Sequence, residues 1–331
     1  MIKSISVYLP ENKLTNDDLN RQFPTWDAQK ISNKTGITER RIARKDEFVS
    51  DMAVKAGNKL FTEFSVSKDS IDFILLCTQN PDYFLPTTAC IVQDRLGISK
   101  NCGALDFNLG CSGFVYGLAL AKGLLISGSA KNILLITSEV YSKQMNINDK
   151  SNRSIFGDAA TASLISVENE GQSFGDFIFG TDGSGFDNLI VRNGAMRHPE
   201  LDTKDEFDGE DFVKNDSNLY MNGQEIFKFC TREIPKLVNN TLFKNNLDMD
   251  QIDLFVFHQA NKYMLDYLKR KLNIPDEKFF LFFENIGNTV SSTIPIALKS
   301  AMENNKIKKG SKVLIAGFGV GYSMSATVLI F

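Results

Sequence analysis

The chain has 331 residues, 43% of them hydrophobic and 23% charged, which supplies enough apolar material for a large core and allows two or three packed units or one duplicated one. Lys and Arg number 37 against 40 Asp and Glu, a net charge of −3 with the signs interspersed, which argues against a general nucleic-acid binder. No apolar run reaches the roughly 18 residues that span a bilayer, and Met1-Ile2-Lys3 leads at once to Pro10-Glu11-Asn12-Lys13, so neither an anchor nor a signal peptide is expected.

Apolar, β-branched runs alternate with longer amphipathic stretches, which predicts an α/β fold. In chain order, Asp72-Phe-Ile-Leu-Leu-Cys77, Ala104-Leu-Asp-Phe107 and Asn132-Ile-Leu-Leu-Ile136 predict buried strands. Gly110-Cys111-Ser112-Gly113, ahead of the apolar run Phe114 to Ala121, predicts a strand-to-helix turn. The same order returns later, in Ile252 to Phe257 followed by His258-Gln-Ala-Asn261, in Glu284-Asn-Ile-Gly287-Asn288-Thr289 before Ile296, and in Ser311 to Ala316. Asp72 and Asp253 lie 181 positions apart, Gly110 and Gly287 177, and Ile133 and Val313 180, so the chain reads as an internal duplication. The expected halves are residues 1–175 and 176–331. Equivalent strand ends of two packed halves converge near a pseudo-twofold axis, which draws Cys111, His258 and Asn288 towards one place. The stretch from about Gly185 to Gly223 carries Asp202, Asp205, Glu206, Asp208, Glu210 and Asp211 with little apolar periodicity and reads as a solvated insertion.

Five cysteines without a Cys-x-x-Cys pair read as reduced thiols of a cytoplasmic protein, and neither His198 nor His258 stands at zinc spacing from a cysteine pair, so no metal site is expected. Cys111 is either a small residue buried in a turn or a nucleophile at a helix N-terminus, where unpaired N–H groups would hold the thiol below its usual value of roughly 8.5. His258 ends an apolar run and opens a polar one, which suits a cleft as well as a core; its one competitor is His198 in a polar loop. Asn288 fits a helix cap or an amide aimed at a cavity. Gly317-Phe318-Gly319-Val320-Gly321 follows a strand and can offer backbone N–H groups to an oxyanion. It lacks the following helix and acidic residue of a dinucleotide fingerprint, so NAD binding is not expected.

Seven motifs in order now carry a resemblance: Thr35-Gly-Ile-Thr-Glu-Arg-Arg-Ile42, Pro86-Thr-Thr-Ala-Cys90 with Gln93 and Leu96-Gly97, Gly110-Cys-Ser-Gly-Phe-Val-Tyr-Gly-Leu118, Phe156-Gly-Asp158, Met221-Asn-Gly-Gln-Glu-Ile-Phe-Lys228, His258-Gln-Ala-Asn261 and Gly287-Asn-Thr289. Nearly the whole chain resembles the β-ketoacyl-acyl carrier protein synthase III family of the thiolase-like superfamily. The resemblance implies two duplicated βαβαβαββ halves packed as a five-layered αβαβα sandwich, and a homodimer. It implies that Cys111 takes an acyl group from a phosphopantetheine thioester, on coenzyme A or acyl carrier protein, with no tightly bound cofactor. Malonyl-acyl carrier protein then loses carbon dioxide and condenses to a 3-oxoacyl product, with His258 and Asn288 stabilising the enolate and the amides of Cys111 and Val320 the tetrahedral oxyanion. The basic residues matching the family's carrier-docking patch are Lys228, Arg270 and Lys271, and the gate of the acyl pocket at the partner subunit matches Leu85.

The chain departs from the family where coenzyme A is bound. The family's Trp-Ile-x-x-Arg-Thr-Gly segment reads Lys30-Ile-Ser-Asn-Lys34-Thr-Gly36, so the stacking aromatic is lost and Lys34 stands for the phosphate-binding Arg. The opposing Arg is Lys150, and the Arg after His-Gln-Ala-Asn is Tyr263; Trp26 is the aromatic nearest the lost one in sequence. The same Cys-His-Asn set also suits an acyltransferase or thioester hydrolase, and a catalytically silent condensing-enzyme partner is the reading outside enzymology.

Overall fold

The two strand-rich stretches of the sequence become two five-stranded sheets, seen in a computed structural model that describes residues 1–167, 173–202, 204–208 and 212–331. The first half opens with β1 (Ile2–Tyr8), β2 (Asn12–Thr15), α1 (Asn16–Gln22), α2 (Ala28–Thr35) and β3 (Glu39–Ile42), β2 and β3 pairing as a small ribbon. It continues through α3 (Val49–Glu63), β4 (Phe73–Cys77), α4 (Thr88–Leu96), β5 (Gly103–Phe107) and α5 (Gly113–Ile126). Then come β6 (Asn132–Glu139), α6 (Lys150–Arg153) and β7 (Ala159–Ser166). The strand order is β1-β7-β6-β4-β5, with β6, β4 and β5 parallel and β7 antiparallel to both neighbours.

The second half carries β8 (Ser173–Phe174), β9 (Ile178–Thr181), β10 (Leu189–Ile190), β11 (Glu206–Asp208), β12 (Phe212–Lys214) and β13 (Tyr220–Met221). After these come α7 (Gly223–Lys244), β14 (Leu254–Phe257), α8 (Lys262–Lys271), α9 (Thr293–Glu303), β15 (Lys312–Gly319) and β16 (Ser323–Ile330). Its sheet runs β14-β15-β16-β8, with β9 also on β16. Because β8 pairs with β16, the chain changes sheets between Ser166 and Ser173. The duplicated third strand, expected before Gly287, does not form. Its backbone pairing with the sheet is limited to a parallel bridge between Phe255 and Phe279, and Phe279 packing on Phe257 at 5.1 Å and Gln259 side-chain bonds to Phe280 O and Phe282 N–H hold it besides.

Five layers follow from where the apolar faces go. Alternate residues of a strand buried on both sides point to opposite faces. Leu75, Ile133 and Leu135 of the first sheet and Leu254, Val256 and Val313 of the second therefore face inward, onto Phe114, Val115 and Leu118 of α5 and Ile294, Ala297 and Leu298 of α9. Ile74, Leu76 and Leu134 face outward onto α3 and α4. Phe255, Phe257 and Leu314 do the same onto α7 and α8. The order is helices, sheet, α5 with α9, sheet, helices, and the central helices aim their N-termini at the seam between the halves.

The stretch 185–223 is more than a solvated insertion. Leu189 and Leu219 are buried, β10 pairs with β13, and Asp205 accepts hydrogen bonds from Asn146, Asn148 and Asn215, which binds the segment to the first half. Its few apolar contacts are irregularly spaced and so leave no periodic signal. Glu210 and Asp211 lie outside the described residues.

Candidate active site

Cys111 sits between the end of β5 and the first turn of α5, next to the N-cap Ser112, in a turn packed against the other half. Ser112 Oγ and Ser323 Oγ lie 2.5 Å apart, one hydroxyl from each half. A Cβ on Gly319 would stand 3.1 Å from both Cβ and Sγ of Cys111, so glycine there keeps one side of the thiol open. Val320 is packed with Cys111 in one apolar cluster, which puts both proposed oxyanion amides on adjoining turns.

His258 extends β14 by one residue, its N–H bonding to Ala316 O at 2.8 Å, and its ring meets Phe318 edge-on at 5.7 Å. Nδ1 lies 2.7 Å from Thr293 Oγ1 at the start of α9. Burial pushes its pKa down to about 3, so the ring is neutral at physiological pH.

Asn288 belongs to the second half but is held by the first. Its N–H donates to Ile155 O at 2.9 Å and its carbonyl accepts Gly157 N–H at 3.0 Å. Gly287 before it adopts φ +77°, and an added Cβ would meet Arg40 Cγ and Ile155 O at 2.9 Å. Val290 N–H donates to Asn288 Oδ1 at 2.9 Å, which turns Nδ2 towards His258 Nε2, 3.5 Å away. Asn288 is therefore not the helix cap that its type permits; Ser292 precedes α9.

The three side chains line one cavity of about 130 Å³, walled by Phe156, Leu189, Met221 and Phe318. It shares Ile155, Met221, Gly223, Asn261 and Met264 with a surface groove of about 750 Å³, so the two adjoin. A second depression of about 760 Å³, bordered by Tyr83 and Phe84, shares Tyr141 and Leu189 with the cavity. Leu85 lies outside the cavity of its own chain, 83% exposed at the tip of Tyr83-Phe84-Leu85.

The other residues expected at the site divide between the groove and its rim. Lys34 and Lys228 line the groove, Lys228 ion-paired to Glu225 at 2.6 Å. Arg270 and Lys271 are exposed at the end of α8, and Lys271 Nζ donates to Thr231 O of α7 at 3.0 Å. Lys150 is buried behind the groove wall, its ammonium 5.5 Å from the Trp26 ring, and Trp26 itself lines the groove. Tyr263 also lines it, packed on Phe227 at 5.3 Å. Among the described residues no group of His, Cys, Asp and Glu is placed to hold a metal.

Two residues that no motif singles out act on this site, Thr293 and Glu139. Glu139, the last residue of β6, is fully buried, accepts from Ser291 Oγ at 2.7 Å and Gln79 N at 3.0 Å, and burial raises its carboxyl to about 8. Burial first, and the Glu139 charge second, raise the Cys111 thiol above its ordinary range, contrary to the lowered value expected of a helix N-terminus. Because Glu139 is mostly protonated at neutral pH, burial is the cause that acts there.

Fold and site together define a thiolase-like protein with a Cys-His-Asn centre between its halves. The family profiles for 3-oxoacyl-[acyl-carrier-protein] synthase III match residues 105–183, and for its C-terminal part residues 242–331. The β-ketoacyl-[acyl-carrier-protein] synthase III of Clostridium perfringens is 38% identical over 323 residues, 98% of this chain and 96% of that protein. A crystal structure of a 3-oxoacyl-(acyl-carrier-protein) synthase III is 47% identical with a TM-score of 0.97, covering 100% of this chain and 99% of its own. The Thermus thermophilus synthase III is 34% identical with a TM-score of 0.90, covering 100% and 98%. The chain belongs to the β-ketoacyl-acyl carrier protein synthase III family.

Proposed function

We propose that the protein is a decarboxylating condensing enzyme that joins a Cys111-bound acyl primer to malonyl-acyl carrier protein. In the first step Cys111 Sγ attacks the carbonyl carbon of a phosphopantetheine thioester, the pantetheine sulfur leaves, and the thiol proton ends on that sulfur. In the second, the malonyl C–C bond breaks, carbon dioxide departs, and the electron pair forms an enolate whose carbon attacks the Cys111 acyl carbonyl. The Cys111 thiolate leaves and takes one proton from water, and the product is 3-oxoacyl-acyl carrier protein. Donors aimed at the developing charge are the main catalytic device, and no step calls for a resident cofactor.

The observation that carries this reading is the pair of nitrogens His258 Nε2 and Asn288 Nδ2, 3.5 Å apart in the cavity that Cys111 lines, placed to share one enolate oxygen. The amides of Cys111 and Val320 serve the tetrahedral oxyanion. Lys228, Arg270 and Lys271 lie on or beside the α7–α8 face at the groove, where an acidic carrier protein docks. The exposed Leu85 tip gates the acyl pocket of a second copy in a homodimer, which accounts for apolar side chains left in water. The halves divide near residue 175, and the protein works in the cytoplasm. Lys34 and Trp26, the latter backed by the buried ammonium of Lys150, contact the phosphopantetheine-bearing donor, whether coenzyme A or carrier protein.

Intact mass spectra after incubation with acyl-coenzyme A and acyl-carrier protein series of rising chain length test the first step and identify primer and carrier. Addition of malonyl-acyl carrier protein to the acylated protein should yield a 3-oxoacyl product. Release of free acid instead, at the same rate with and without malonyl carrier, would make it a hydrolase.

A further inference from the structure

The two donors of the proposed enolate site are oriented by one short turn between Asn288 and Thr293. Val290 N–H fixes the rotation of the Asn288 amide. A neutral imidazole carries one proton, and the bond made by one ring nitrogen decides whether the other is a donor or a lone pair. The partner of His258 Nδ1 is the buried hydroxyl of Thr293, at 2.7 Å. That hydroxyl also lies 3.0 Å from Val290 O, but the carbonyl already accepts Thr293 N–H, so turning the hydroxyl proton to Nδ1 orphans no group. On the other side of the ring, Nε2 and Asn288 Nδ2 are 3.5 Å apart, too far to hold one another well and close enough to meet at a third atom. Val290, whose N–H holds the Asn288 amide and whose carbonyl holds the Thr293 backbone N–H, is a β-branched residue at φ +56°, a conformation that persists only where its surroundings impose it.

We propose that Thr293 is a positioning residue whose hydroxyl donates to His258 Nδ1, holding the ring as the Nε2–H tautomer so that Nε2–H and Asn288 Nδ2–H point at one oxygen. This rests on the reading of His258 and Asn288 as enolate donors. No proton transfer through Thr293 is required; its single proton stays on Oγ1 and removes the lone pair of Nδ1 from competition.

The chain has two histidines, His198 and His258, so 15N-histidine spectra of the whole protein read the tautomer directly, with His198→Gln assigning the signals. The expected result at neutral pH is a protonated Nε2 and an unprotonated, hydrogen-bonded Nδ1. Thr293→Val should shift the Nδ1 signal and slow decarboxylation of malonyl-carrier protein by pre-acylated enzyme about 10–100-fold, with acylation of Cys111 changed by less than about threefold. Thr293→Ser should restore both. A protonated Nδ1 in the wild type overturns the proposal. So does an equal loss in both steps that Thr293→Ser does not restore, since that marks packing alone. If no thioester acylates the wild type, the functional reading fails while the spectrum still decides the tautomer.

Discussion

The Gly110-Cys111-Ser112 turn and the Gly287-Asn288-Thr289 turn occupy equivalent places in the two halves, yet they are held in unlike ways. The first follows a complete strand, β5, and is stiffened by its own sheet and by α5. The second has no strand before it and takes its rigidity from the other half, through Asn288 bonds to Ile155 and Gly157 and the contact of Gly287 with Arg40. Duplication supplied one topological position twice. One copy presents the Cys111 thiol, and the other, released from the sheet, presents an amide whose direction depends on both halves being docked. The comparison predicts that damage to the first turn removes the first chemical step, and damage to the second removes the later step or loosens the seam.

The largest effect belongs to the first turn: Cys111→Ala should give no acyl adduct in intact mass spectra with any thioester that labels the wild type. Adduct formation elsewhere would shift the nucleophile and end the comparison. Asn288→Ala should acylate normally and lose about 10²–10³ in condensation rate, because its proposed donor acts on charge that develops as the malonyl group loses carbon dioxide and not in the acylation step. Equal loss in both steps, measured by single-turnover acylation against product formation, would abolish the division of labour between the turns.

The pH behaviour of Cys111 sharpens the same contrast. Its thiol is raised, so the reactive thiolate fraction should grow about tenfold per pH unit between about pH 6 and about pH 8, without the early plateau of a lowered thiol. Above about 8 Glu139 ionises beside it and the rise should become shallower; Glu139→Gln should remove that change of slope. The rate of alkylation of Cys111 by iodoacetamide checks both. Smallest is Gly287→Ala, which forces an L side chain into φ +77° against Arg40 and should cost about 1–3 kcal/mol in denaturant unfolding. Wild-type stability in that variant would mean that the second turn yields more readily than its cross-half contacts indicate.

Much of this site is legible in the linear chain. Buried strands such as Leu254 to Phe257 announce themselves by apolar runs, the glycines around Cys111 mark a close approach, and the shared offset near 180 positions pairs the two turns. The missing third strand of the second half was not legible, because its apolar residues, Phe279 to Phe283, suit a strand and are held in part by the Gln259 side chain. Nor was the role of 185–223, where Leu189 and Met221 wall the cavity from an otherwise polar segment.

Residue type and spacing by themselves determined the α/β class and the repeated order of strands and turns that makes Cys111, His258 and Asn288 candidates, because burial periodicity and turn chemistry are local properties. Tertiary structure alone decided the protonation of the site. The raised thiol, the neutral histidine and the bond from Thr293 to its ring depend on removal from water and on contacts between residues such as Glu139 and Ser291, 152 positions apart. Desolvation and long-range hydrogen bonds leave no periodic mark on a chain, so they exist only once the two halves have closed on each other.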